Sequence, residues 1–135
     1  MKDDIVINKI ETIKRCIKRI DEEYGNNPKN LDNFTKQDSI ILNLQRMCEA
    51  ALDLSLHYIK VKKLEVPQSS KDAFKVLENH GVISKKLSMN LQGMVGFRNI
   101  AVHDYQSLNM DILQKVIEVH LLDPIELSKV ILERE

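Results

Sequence analysis

The sequence predicts an all-α protein, an antiparallel bundle of four to five helices that dimerises. Three observations carry this. Apolar residues recur at spacings of three and four along most of the chain, the period of a helix face packed on a core. Cap residues and Gly/Pro punctuation divide that pattern into separate helices. No stretch alternates apolar and polar residues as a half-buried strand would. At 135 residues a single domain, 1–135, is long enough to bury a core.

The first helix runs from about Asp3 to Tyr24. Val6, Ile10, Ile13, Ile17, Ile20 and Tyr24 form one stripe, with Asp3 and Asp4 placed to meet the positive end of the helix dipole. Lys9, Lys14, Arg15, Lys18 and Arg19 fill the other sides. They read as a solvated face, with an RNA-backbone role as the sharper alternative. Gly25-Asn26-Asn27-Pro28 ends the helix.

A second, long helix starts between Asp32 and Gln37 and reaches about Lys63. Its stripe is Ile41, Leu44, Cys48, Ala51, Ser55, Tyr58 and Ile59, widened by Ile40, Met47, Leu52, Leu54 and Leu56. A helix apolar around so much of its girth must be covered on two sides. It is therefore the centre of the bundle, with a dimer contact as the further expectation. Glu49, Asp53 and His57 recur every four residues as a polar line, a surface or interface network for which no partner cluster of metal ligands is visible.

Pro67-Gln68-Ser69-Ser70 breaks the pattern, and Ser69 caps a short helix carrying Ala73, Phe74, Val76 and Leu77. His80-Gly81 closes it, which makes His80 a cap rather than a catalyst. Ser84 starts a fourth helix with Leu87, Leu91, Met94, Val95 and Ala101 inward. Gly93 and Gly96 weaken it by about 1 kcal/mol each and suggest close backbone approach by a neighbour. Asn109 opens a fifth helix with Ile112, Leu113, Val116, Ile117, His120 and Leu121 as its apolar side. Asp123-Pro124-Ile125-Glu126 then reads as N-cap, first-turn proline and N3 glutamate, so 124–134 is a separate or sharply kinked helix.

Composition narrows the function. Lys+Arg 20 balance Asp+Glu 20, so no global field draws the chain onto nucleic acid and any RNA contact is local. With 4% aromatic residues and no Trp, base-stacking platforms are not expected. The start Met1-Lys2-Asp3-Asp4-Ile5 has no apolar leader, and no run reaches membrane-spanning length. Cys16 and Cys48 sit in helical patterns without metal spacing and read as buried thiols of a cytoplasmic protein.

The chemistry gathers in Gly96-Phe97-Arg98-Asn99-Ile100-Ala101-Val102-His103-Asp104-Tyr105. Arginine binds phosphate through two parallel bonds, histidine exchanges a proton near neutral pH, and tyrosine adds a hydroxyl. These are the groups that metal-free cleavage of a phosphodiester requires. On one straight helix Arg98 and His103 diverge by about 140°, whereas Asn99 and His103 share a face, so Asn99 could orient the imidazole. Either the helix ends near His103 and the weak helix former run 104–107 loops back, or a second copy of the chain completes the site; both together are expected. The bland alternative has Arg98 capping its helix with Asp104, and His103 as a satisfied terminal histidine.

That ten-residue run resembles the signature of the HepT family within the HEPN superfamily: arginine, four residues, histidine, one residue, tyrosine. The likeness extends along nearly the whole chain, through the first helix, Leu44, Glu49, Ala51, Asp53 and His57 of the second, and Met94 before the motif. The resemblance implies a HEPN-like bundle whose dimer lines one cleft with both motifs. It implies a metal-independent endoribonuclease, without a cofactor, acting as the toxin of a toxin–antitoxin pair. Its partner would be a minimal nucleotidyltransferase that adds AMP to the motif tyrosine. Arg98 and His103 would be catalytic, Asn99 supporting and Tyr105 modified. The alternative is a non-catalytic helical subunit that holds a nucleotide or acceptor for a separate nucleotidyltransferase. The chain cannot itself be that transferase, since it lacks a Gly-Ser pair followed by Asp-x-Asp.

Overall fold

In the computed structural model residues 3–134 are described, and all regular structure among them is helical. Met1 and Lys2, part of the charged start, lie outside this range, as does Glu135. Six α-helices follow in order: α1 (Asp4–Tyr24), α2 (Phe34–Val61), α3 (Ser70–Asn79), α4 (Lys85–His103), α5 (Met110–Lys115) and α6 (Asp123–Glu133). No described helix is long and apolar enough to cross a membrane.

Helix α1 begins where the Asp3 carboxylate accepts from Ile5 N at 2.8 Å and ends where Gly25 turns left-handed at φ 55°. Of its stripe, only Ile17 is left half-buried; Cys16 takes the inward place beside it. A 3-10 turn, Pro28–Asp32, reverses the chain into α2, whose cap Asn33 accepts from Lys36 N at 3.0 Å. Helix α1 packs along α2, and the polar line ties the pair together. Lys9 Nζ lies 3.1 Å from Asp53 Oδ2, and His57 Nε2 meets Asp3 Oδ2. The His57 hydrogen bond holds the Asp3 carboxyl below its usual range.

The width of α2 has a cause inside the chain. Ile40, Met47, Leu52 and Leu54 are buried along with the main stripe, because α2 touches α1, α3, α4 and α6 in turn. Burying each such side chain is worth about 1.5–3 kcal/mol. A second chain is therefore not needed to cover this face, and only Leu56, at 42% exposed, departs from the expected core.

Ser69 Oγ accepts from Asp72 N at 3.1 Å, and α3 closes at His80 and left-handed Gly81. The His80 ring bonds Glu65 Oε2 at 2.7 Å. Ser84 Oγ caps α4 through Leu87 N at 3.1 Å. Within the chain, no other helix backbone approaches the two α4 glycines closely. A Cβ on Gly93 would meet nothing within 4 Å, and one on Gly96 would meet only the flexible end of Lys71 at 3.5 Å.

After Asn109, which accepts from Asp111 N and Ile112 N, α5 lasts six residues. It then widens into a π turn, Val116–His120. That extra-wide turn aims Glu118 at the hydroxyl of buried Tyr24, which donates to Glu118 Oε2. Burial first and the Glu118 carboxylate second push the Tyr24 phenol up to about 12. Asp123 does not cap α6. Its carboxylate is drawn back to His120 Nδ1 at 2.9 Å, and the backbone passes through Leu122 in the helical region with no side-chain cap. Two turn residues, 121 and 122, separate the π turn from α6, so the chain restarts there as a separate helix, although without the Asp123 cap.

Candidate functional site

Helix α4 delivers the motif to its C-terminal end. It stops at His103: Asp104 leaves the helical region at φ −152° and ψ 68°, while its N–H still bonds Ile100 O at 2.8 Å. The following residues form a 3-10 turn, Tyr105–Ser107, within the expected loop. Ser107 Oγ donates to Asp104 Oδ2 at 2.5 Å, and buried Leu108 pins the turn to the core.

Arg98 points inward. It shares a tight cleft with Leu44 and Cys48 of α2, Met94 and Phe97 of α4, and Val116 of the π turn. Its Nε is buried and has no hydrogen-bond partner, and no carboxylate pairs with it among the described residues. Buried polar groups without partners are rare in native structures, and Arg98 Nε is such a group. It sits near Cys48, whose thiol burial pushes up to about 11 while Arg98 pulls the other way. The simple capping alternative is not what the chain does, since Asp104 is engaged by Ser107 instead.

His103 is exposed on the last turn of α4. Asn99 is also exposed, and among the described residues no side-chain hydrogen bond joins it to His103. Arg98 Nε is buried while His103 is exposed, in keeping with the angle of about 140° between them on the helix.

The structure adds two residues that sequence reasoning missed. Tyr105, 38% exposed, donates its hydroxyl to Asp38 Oδ1 at 2.5 Å, with Gln37 Oε1 at 3.4 Å. Desolvation and then the Asp38 carboxylate push the phenol up to about 12. Asp38 lies on the second turn of α2, 67 residues away in sequence. No local spacing could have signalled it.

Comparison with known proteins places the chain in a family. A family model described as Ribonuclease HepT-like matches residues 13–131. The mRNA nuclease HepT of Shewanella oneidensis is 55% identical over 120 residues, covering 89% of this chain and 90% of that protein. A structure of a tri-AMPylated Shewanella oneidensis HEPN toxin in complex with MNT antitoxin superposes with a TM-score of 0.92 and 51% identity, over 99% of this chain and 100% of that one. A toxin–antitoxin structure with AMP-PNP gives 0.91 and 52%, over 96% and 99%. The cytosolic protein YutE of Bacillus subtilis, at 15% identity and a TM-score of 0.80 over 96% and 87%, shares the fold alone. With its motif at the end of α4 and this degree of likeness, the chain belongs to the HepT-like ribonuclease family.

Proposed function

We propose that the chain is an endoribonuclease toxin that cuts RNA without a metal ion, and that a partner minimal nucleotidyltransferase silences it by adding AMP to Tyr105. The observation that carries the cleavage reading is Arg98, a half-buried guanidinium with an unpartnered Nε in the motif the family shares. A ribose 2′-hydroxyl attacks the adjacent phosphorus. His103 takes or gives the proton, and Arg98 stabilises the charge growing on the phosphorane oxygens. Asn99 supports the histidine. The motif supplies a cation and a proton carrier where a two-metal nuclease would present clustered carboxylates. Purified protein is expected to cut RNA in excess EDTA; loss of cutting, restored by a divalent ion, would overturn the metal-free mechanism.

Because Arg98 and His103 face apart, the site is completed by a second chain. The buried face of α2 cannot serve as the contact. The outer side of α4 with α5 can: Met89 is 60% and Ile112 52% exposed, beside a cavity of about 300 Å³ lined by Gly93, Phe97, Lys115 and His120. Met94, Phe97 and Val116 border both this cavity and the Arg98 cleft. Sedimentation at micromolar concentration should give a species heavier than the 15.6 kDa monomer. A pure monomer that still cuts RNA would place the whole site in one chain.

The regulatory half of the proposal draws on the relatives, whose structures are described as toxin–antitoxin complexes, one of them tri-AMPylated. Their HEPN and nuclease descriptions favour the enzyme over a non-catalytic substrate-holding subunit. A toxin of this kind would act in the cytoplasm, where its RNA is.

A further inference from the structure

The Tyr105 hydroxyl is poor at the task the regulatory reading gives it. With its phenol pushed up to about 12, roughly one hydroxyl in 10⁵ is ionised at pH 7. A nucleophile so protonated needs a base within hydrogen-bond reach. One is present: Asp38 Oδ1, 2.5 Å from the phenolic oxygen, on the rigid second turn of α2 and exposed to solvent.

We infer that Asp38 is the general base for adenylylation of this chain, a group supplied by the toxin rather than by the enzyme that modifies it. This rests on the reading of Tyr105 as the acceptor. In the step, Asp38 Oδ1 takes the phenolic proton as the oxygen forms a bond to the α-phosphorus of a nucleoside triphosphate held by the partner. The bond from that phosphorus to the bridging oxygen breaks, and pyrophosphate leaves with the electron pair. Asp38 then returns the proton to water. Gln37 Oε1, at 3.4 Å, helps keep the hydroxyl aimed along α2. Once the phenolic oxygen carries phosphorus it has no proton to donate, so Asp38 serves the first addition only. The other titratable groups close along the chain are His103 and Asp104, the latter occupied by Ser107. Lys36, two residues before Asp38, turns away to Asn30 Oδ1 at 3.1 Å.

The test uses the purified chain, its partner nucleotidyltransferase and ATP, with AMP incorporation followed by intact mass and located by peptide mass. Asp38→Asn keeps the shape and an acceptor oxygen but cannot take a proton. The first addition should slow by about 10²-fold or more in kcat, with KM for ATP unchanged. The residual rate should climb with pH far more steeply than the parent's, because the proton must then be lost to solvent. Circular dichroism and co-elution with the partner control for folding and docking. An Asp38→Asn rate equal to the parent's, with parental AMP on Tyr105, overturns the inference and spares the acceptor reading. A faster rate overturns it in favour of a latch that shields the hydroxyl. Parental AMP on another residue overturns both.

Discussion

Replacing His103 with alanine is expected to lower RNA cleavage by about 10²–10⁴-fold, the usual weight of a positioned proton carrier. Arg98→Ala should cost about 10²–10³-fold, the effect of removing one charge-stabilising donor. Helical content should be unchanged in both. His103 is exposed and its side chain forms no hydrogen bond among the described residues, so losing that side chain leaves nothing unsatisfied. Arg98 is half-buried with a buried, unpartnered Nε, so removing it relieves a desolvated group rather than breaking an ion pair. A purely structural arginine would behave the opposite way, with a large fall in melting temperature and little change in rate per folded molecule. Arg98→Lys should not restore activity, because a point charge lacks the planar fork. Cleavage assays on a defined RNA beside thermal melts separate the two outcomes. Parental rates from His103→Ala would sink the proposed mechanism.

Helix placement was readable because its causes are local. The stripe of α1, the caps Ser69, Ser84 and Asn109, and the glycine stops at Gly25 and Gly81 all act within a turn or two, and the chain uses each of them. What misled was tertiary. The width of α2 does not say whether its cover comes from the same chain or another, and here α1, α3, α4 and α6 supply it. Gly93 and Gly96 suggested a close neighbour that the chain does not place there. Asp123 had the right neighbours for a cap, but His120, set at the end of the π turn, claimed its carboxylate. Nothing in the run 112–121 marks that π turn, because an apolar period cannot distinguish a four-residue from a five-residue step.

The site divides in the same way. The expected divergence of Arg98 and His103 follows from helical geometry, and the two differ in burial, with Arg98 half-buried and His103 exposed. The end of α4 near His103 followed from weak helix formers at 104–107. Asp38 and Gln37 were invisible, since only the folded chain brings the second turn of α2 to Tyr105. A phenol that looks free in a polar segment is in fact bound to a carboxylate.

That contact shapes the expected behaviour of Tyr105→Phe. The ring would still pack, and the turn would still be held by Leu108 in the core and by Ser107 on Asp104, so the variant should remain a folded nuclease. It loses only the hydroxyl, and with it the point of AMP attachment. In the parent, adding AMP replaces a donated hydrogen bond with a phosphodiester anion against the Asp38 carboxylate. Like charges at such a distance repel, which would favour the modified side chain turning away from α2. It would carry a bulky anion toward the RNA path, where it competes for Arg98. The chain would thus be blocked and its turn displaced by one chemical event. Incubation of Tyr105→Phe with the partner and ATP should leave its mass unchanged and its RNA cleavage intact, while the parent gains AMP and stops cutting. If the phenylalanine variant gains AMP as readily as the parent, another residue is the acceptor and this account of control fails. If it gains none yet is silenced by the partner, control is exerted by binding rather than by modification.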